Sequence, residues 1–250
     1  MKANKPSLIL FFSALLFTVI FDWTGQDFLA IYAKAIVLPA IFIYFLISND
    51  FKIRKTEGFI FLFCFIGQVF DLMDIEISEI GGVISFLIVY LLIMKLFIFE
   101  HEKIILKKKD ILPISIVVIF IVYLLISVLS LQFDKMKRFN AVYTIYGIVL
   151  SLVSYFSFVS YITKGTFLAL LMSLMAISYI FSDIFYIFNE YFSYSIVLVL
   201  IRDVTQILAY YFMVEYFLEK EKNNRKALYN NWSSLITVCF VFIKVKINST

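Results

Sequence analysis

The chain has 250 residues, of which 63% are hydrophobic and only 16% are charged, and its formal net charge is +4. A soluble domain has about 45–50% apolar and about 25% charged residues, so this composition excludes an ordinary water-soluble globule. Two cysteines and one histidine, His101, exclude a disulfide scaffold and a three-histidine zinc site. Basic loops beside a membrane explain the small positive charge. We therefore expect an integral membrane protein with no nucleic-acid partner, no metal and no cofactor.

Eight long runs with few charges predict eight transmembrane helices. They cover residues 7–21, 28–48, 58–75, 80–99, 111–131, 139–161, 166–188 and 194–218. At about 1.5 Å per residue, most of them can cross a hydrocarbon core about 30 Å thick. Residues 1–218 are thus expected to form one all-α bundle, because short loops favour antiparallel neighbours. Residues 219–250 are expected to form a charged cytoplasmic tail with a short apolar segment, 235–243, at the membrane interface.

The distribution of basic residues predicts that both termini are cytoplasmic. Counted as far as Lys226, fourteen lysines and arginines fall in the predicted inside segments, and only Lys135, Lys137 and Arg138 fall in the outside loops. Two outside loops are acidic, the first with Asp22 and Asp27 and the second with Glu76 and Glu79. The expected location is a bacterial inner membrane, crossed several times.

Ionisable residues occur inside the predicted spans. Setting aside Asp74 and Glu215 at span ends, they are Lys34, Asp71, Lys95, Asp183, Arg202 and Asp203, and the charges of these six sum to zero. Such groups are costly in hydrocarbon unless they are paired or solvated, so they usually face the interior of a bundle. Lys95 lies near the cytoplasmic end of its span, where a lysine can extend to the interface. Asp71, Asp183 and Lys34 instead fall in the outer half of the membrane.

Helical spacing places further polar side chains beside these groups. The sets that share a helix face are Gln68 with Asp71; Tyr179, Asp183 and Tyr186; and Asp203, Gln206 and Tyr210. We therefore predict a polar chamber that opens toward the outer leaflet and is walled by spans 2, 3, 7 and 8. The alternative is that buried ion pairs, such as Arg202 with Asp183, only lock helices together.

Five short motifs carry a resemblance to a known family. They are YAKAIVLP with Lys34, FCFIGQVFDLMD with Gln68 and Asp71, YLLIMKLFIF with Lys95, SYIFSDIFYIFNEYF with Asp183, and RDVTQILAYYF with Gln206. Their order over residues 1–218 resembles the YhhN-like, lysoplasmalogenase family of eight-span membrane proteins. The Ser182-Asp183 pair matches the family pattern fully. Where that pattern has proline, aspartate and histidine, this chain has Ala35, Gln68 and Lys95.

This resemblance implies hydrolysis of the vinyl-ether bond of lysoplasmalogens, a membrane lipid substrate. Two carboxyl groups can perform this reaction without a metal, as they do in glycosidases. Asp183 is the expected general acid, because apolar surroundings favour a neutral carboxyl group. Asp71 or Asp203 would be the ionised base, and Lys34 would meet the substrate phosphate. Gln206 would orient water, and Arg202 and Gln68 would complete the substrate-binding set.

Two other functions remain open at this stage. The same chamber could bind or transport a small polar solute or a lipid headgroup, since proton-coupled movement also uses carboxyl groups inside the membrane. The protein could also be a scaffold without catalysis. All of these hypotheses depend on whether Asp71, Asp183 and Asp203 converge on one cavity.

Overall fold

The computed structural model describes residues 5–73, 76–100, 107–130, 140–192 and 194–247, with side chains for 5–73, 80–97, 107–130, 140–192 and 194–226. Within these residues the chain forms eight long helices and no strand. They are α1 (Lys5–Trp23), α2 (Asp27–Ser48), α3 (Lys55–Leu72), α4 (Glu76–Glu100), α5 (Ile111–Ser130), α6 (Asn140–Lys164), α7 (Phe167–Tyr191) and α8 (Ile196–Ile247). A single 3₁₀ turn, Lys108–Asp110, precedes α5.

Each apolar run that the sequence singles out coincides with one of these helices. Seven of the eight described helices are long and apolar enough to cross a membrane, as expected of an integral multi-pass membrane protein. The remaining one, α3, has 18 residues and includes Lys55, Glu57 and Asp71, which lower its hydropathy. The fold class predicted from composition, an all-helical bundle, is therefore confirmed for the described residues.

The last helix continues well beyond residue 218, where the sequence predicted that the final span ends. It comprises 52 residues, about 78 Å at 1.5 Å per residue, so part of it must lie outside the hydrocarbon core. Charged pairs at helical spacing support the extension: Lys222 Nζ lies 2.9 Å from Glu219, and Arg225 Nε lies 3.5 Å from Glu221. The backbone of 235–243 belongs to this helix, and its side chains are outside the described set.

Short connections make most consecutive helices antiparallel neighbours. The most extensive packing is between α7 and α8, between α1 and α2, and between α3 and α4, and α8 also packs against α1 and α2. We call the end of the bundle where α1 ends and α2 begins the Trp23 end, and the other end, where α2 ends and α3 begins, the Ser48 end. Tightly packed apolar side chains from α1–α4 and α6–α8 fill the interior between them.

Ion pairs at the Ser48 end fasten the turn between α2 and α3 to the extension of α8. Arg225 donates to Asp50 at 3.0 Å and to Asn49 at 2.9 Å, and Arg54 donates to Glu221 at 2.8 Å. In this turn Asp50 and Phe51 have φ values of 54° and 56°, a left-handed conformation that is unfavourable for L-residues. The contacts with α8 offset this local strain.

Several expectations concern residues outside the described set. They include His101, the loop 132–138 with its three basic residues, and the side chains of Glu76 and Glu79.

Candidate functional site

Lys34 is the centre of an ion-pair cluster near the Trp23 end, which we define as Asp22, Lys34, Arg202 and Asp203. Its Nζ atom lies 2.6 Å from Asp203 Oδ2 and 3.2 Å from Asp22 Oδ1. Arg202 Nε lies 2.8 Å from Asp203 Oδ1. Both aspartate side chains are at most 5% exposed, so in this low-dielectric setting each charge depends on its partners.

Antiparallel packing explains why these residues meet. Asp22 lies in the last turn of α1, whereas Lys34 and Asp203 each lie seven residues after the first residue of α2 and α8. Because α1 ends where α2 and α8 begin, the three side chains reach the same depth. The sequence predicted that Asp22 belongs to an acidic outside loop, and that prediction is wrong: Asp22 is helical and 4% exposed.

A small polar cavity adjoins this cluster. It has a volume of about 10 Å³ and is lined by Lys34, Gln68, Asp71, Leu72, Asp203, Gln206, Ile207 and Tyr210. Gln68 Nε2 donates to the backbone carbonyl of Lys34, and Gln206 Nε2 donates to Tyr210 Oη at 3.2 Å. Gln68 Oε1 is buried and has no hydrogen-bond partner among the described residues. The volume suits about one water molecule, which could satisfy that oxygen.

Asp183 belongs to a different set of contacts. Its Oδ2 atom accepts hydrogen bonds from Tyr90 Oη of α4 and from Tyr146 Oη of α6, both at 2.8 Å. The two hydroxyl oxygens are 3.3 Å apart. We call these three residues the Asp183 centre. Two donors on one carboxylate oxygen stabilise the ionised carboxylate, whereas the surrounding hydrocarbon favours its neutral form.

The Asp183 centre lies at the edge of a second, larger cavity between α4, α5, α6 and α7. This apolar cavity has a volume of about 160 Å³, close to that of an engineered cavity of about 150 Å³ that binds benzene. Asp183, Tyr146 and Tyr186 contribute polar groups, while most of the remaining lining is aliphatic or phenyl. Representative lining residues are Val83, Phe120, Leu125, Gly147, Ile180 and Phe181.

A row of three tyrosine rings runs from the Asp183 centre to the polar cavity. The Tyr179 ring lies 5.1 Å from that of Tyr90 and 6.5 Å from that of Tyr210, centroid to centroid. The Arg202 guanidinium lies 5.9 Å from the centroid of Tyr186, a ring that lines the apolar cavity. Arg202 therefore belongs to the ion-pair cluster and also contacts the wall of the apolar cavity by a cation–π interaction.

The structure divides the predicted single chamber into two. Asp71 and Asp203 line the polar cavity with Lys34, whereas Asp183 lines the apolar one. The spacing of Asp183 with Tyr186 does place both on one face of α7, but that face packs toward α4 and α6 rather than α2 and α3. Arg202 accordingly pairs with Asp203 and not with Asp183.

Lys95, the remaining ionisable residue of the predicted spans, is exposed and lines neither of these cavities. Its position therefore separates it from both polar sets, in keeping with its interpretation as a lysine that extends to the interface.

Two participants of the Asp183 centre were missed by sequence reasoning, namely Tyr90 and Tyr146. A buried tyrosine hydroxyl normally requires a partner, which is the only signal available. With 16 tyrosines in the chain, that signal does not identify which two meet an aspartate.

Comparisons with known proteins give no match: no family model, no curated protein and no solved structure matches this chain.

Proposed function

We propose that this protein is a lysoplasmalogenase-like hydrolase that cleaves the vinyl-ether bond of a single-chain membrane lipid at Asp183. The observation that carries the proposal is the position of the Asp183 carboxyl group, at the edge of an apolar cavity and beside two tyrosine hydroxyls. Such a site offers hydrocarbon contact for a lipid chain and a proton donor beside it. The order of the membrane motifs, with the intact Ser182-Asp183 pair, supports the same reaction.

The proposed chemistry needs one proton donor and one water molecule. Asp183 transfers its proton to the β-carbon of the vinyl ether, and the electrons of the C=C bond form the new C–H bond. Water then adds to the carbon of the resulting oxocarbenium ion, giving a hemiacetal and returning a proton to Asp183. Breakdown of the hemiacetal releases a fatty aldehyde and the glycerophospho-alcohol. Tyr90 and Tyr146 would stabilise the carboxylate left after the first step.

The separation of the cavities changes the roles expected of the other residues. Asp71 and Asp203 line the polar cavity, so Asp183 acts as acid and then as base in this proposal. Arg202, which contacts Tyr186, is better placed than Lys34 for the lipid phosphate, because Lys34 is engaged by two carboxylates. Lys34 is then a positioning residue for α1, α2 and α8.

The test uses the purified full-length protein in detergent, with lysoplasmalogen added and aldehyde measured. We expect Asp183→Asn to lower the rate at least about a hundredfold, the lower range for loss of a general acid. Asp27→Asn is the matched control, because Asp27 is an exposed aspartate at the same end of the bundle. Equal aldehyde release from wild type and Asp183→Asn would eliminate the proposal.

Lipid binding without catalysis is a second candidate function. The apolar cavity would serve it equally well, since its volume and lining do not depend on proton transfer. Transport of a small polar solute is less favoured, because the polar cavity holds about one water molecule. A lipid that copurifies intact, with no aldehyde formed from added lysoplasmalogen, would support binding alone.

The proposed membrane arrangement has all eight helices crossing a bacterial inner membrane, with both termini in the cytoplasm. The excess of lysine and arginine at the Ser48 end supports this orientation. Both cavities would then lie toward the outer leaflet.

A further inference from the structure

Two phenylalanines mark a sideways opening of the apolar cavity. Phe120 of α5 and Phe181 of α7 both line the cavity, yet they are 60% and 47% exposed. A side chain that is at once lining and exposed lies at a mouth. Both residues are near the middle of their helices, far from either end of the bundle. The mouth therefore opens at the depth of the lipid hydrocarbon and not toward water.

The helix that forms this side of the cavity is loosely held. Only 6% of the most apolar part of α5 is buried, compared with 50% for α7. α5 packs mainly on α6, and its packing against α4 or α7 within the described residues is slight. The outer wall of the cavity is thus a helix whose other faces contact the bilayer.

The size of the cavity limits what can be enclosed. By comparison with the engineered cavity that accepts benzene, about 160 Å³ accommodates about six carbon atoms. A membrane lipid chain is longer than this, so most of such a chain would have to remain outside.

We infer that the apolar cavity takes up a single-chain lipid directly from the bilayer and encloses only the part of its chain next to the headgroup. The rest of the chain passes out between Phe120 and Phe181 and stays in the membrane. Asp183 lines the cavity, and Arg202 contacts the ring of Tyr186, which also lines it. These two residues would hold the headgroup end. The inference rests on the proposed function for the identity of the lipid, but not for its binding. Selectivity would then depend on bulk near the polar end and not on total chain length.

Gly147 of α6 sets the width of the apolar cavity. It lines the cavity, and a Cβ atom built on it would lie 2.7 Å from Leu125 Cδ1, which also lines the cavity. Gly147→Ala must therefore displace the Leu125 side chain, and the open space available to it is the cavity. Displacing about two methylene groups of ligand would weaken binding about tenfold.

The experiment uses two photoreactive lysolipids that differ only in the position of a diazirine. One carries it within the first few carbons of the chain and the other on the terminal carbon. In wild-type protein in nanodiscs, the first probe should label α5–α7 residues that line the cavity, and the second should label lipid-facing surfaces. Gly147→Ala should reduce the labelling by the first probe about tenfold and leave the second unchanged.

Matched variants keep the test decisive. Gly58→Ala is the control, because its nearest neighbour, Ile53, is at an ordinary 3.5 Å and far from the cavity. Leu125→Ala combined with Gly147→Ala should restore labelling by the first probe, which a merely misfolded variant would not do. Labelling of the cavity by both probes alike, or by neither, would overturn the inference.

Aldehyde release, measured on the same samples, separates the two proposals. Position-dependent cavity labelling without aldehyde would retain the binding inference and remove the hydrolase. Aldehyde release that depends on Asp183, with no cavity labelling by the polar-end probe, would retain the hydrolase and remove the sideways binding mode.

Discussion

Replacing Lys34 by methionine tests whether the ion-pair cluster holds α1, α2 and α8 together. Methionine keeps the length and much of the volume of the side chain but removes its charge. The ammonium group now contacts Asp203 at 2.6 Å and Asp22 at 3.2 Å. After the substitution Asp203 retains Arg202 at 2.8 Å, whereas Asp22 loses the only ion pair in which the described residues place it.

The expected loss follows from the burial of the two carboxylates. Removing one partner of a buried ion pair costs about 3–5 kcal/mol, because an uncompensated charge remains in a poorly solvated place. For a chain of this size, each kcal/mol lowers the melting temperature by about 2–4 °C. Lys34→Met should therefore melt about 6–20 °C below the wild type. Adding Asp22→Asn, which removes the orphaned charge, should recover about half of this difference.

The measurement is the melting temperature of the purified protein in one detergent. It is determined from the fraction of protein that remains soluble and monodisperse after heating to each temperature. Lys95→Met is the matched control, because Lys95 is an exposed lysine within a predicted span. A melting temperature for Lys34→Met within about 2 °C of wild type, less than 1 kcal/mol, would refute the reasoning. So would a double variant that is less stable than Lys34→Met alone.

Three further predictions concern the site, the turn at the Ser48 end and the orientation. Tyr146→Phe removes one hydrogen-bond donor from Asp183. A hydrogen bond to a charged group contributes about 1.5–3 kcal/mol, so aldehyde release should fall about ten- to a hundredfold. An unchanged rate would contradict the role of this hydroxyl. Phe51→Gly relieves a left-handed residue by about 1–2 kcal/mol and should raise the melting temperature by about 2–8 °C; a decrease would show that the Phe51 side chain matters more than its backbone. Asp27→Cys should react with an impermeant maleimide in intact cells, and Lys164→Cys only after lysis; the opposite pattern would reverse the proposed orientation.

The helices could be predicted from the sequence because a helix in a membrane satisfies its own backbone hydrogen bonds, so a long apolar run is nearly sufficient to specify one. Most ends differ from the predicted ones by a few residues at most. The exception is the end of α8, since charged residues such as Glu221 and Arg225 end an apolar run but do not end a helix. Their side chains pair along the helix and extend it instead.

The site could be predicted only in part, for a related reason. Periodicity shows which residues share a helix face, and it placed Gln206 beside Tyr210 and Asp183 beside Tyr186. It does not show which helix that face will meet, because this depends on packing among all the helices. Asp183 therefore met Tyr90 and Tyr146, which no spacing could indicate. Asp22 joined Lys34 because α1 continues two residues beyond its apolar run.

The layer beneath the ion-pair cluster has a consequence for the cell. Between Lys34 and Tyr44, over about 15 Å of α2, the facing side chains include Val37, Leu38 and Ile41, each at most 2% exposed, with Cys64 and Met213 fully enclosed nearby. An ion that entered at the ion-pair cluster could not pass this densely packed apolar layer. Many copies of such a protein could therefore lie in one membrane without making it permeable to ions.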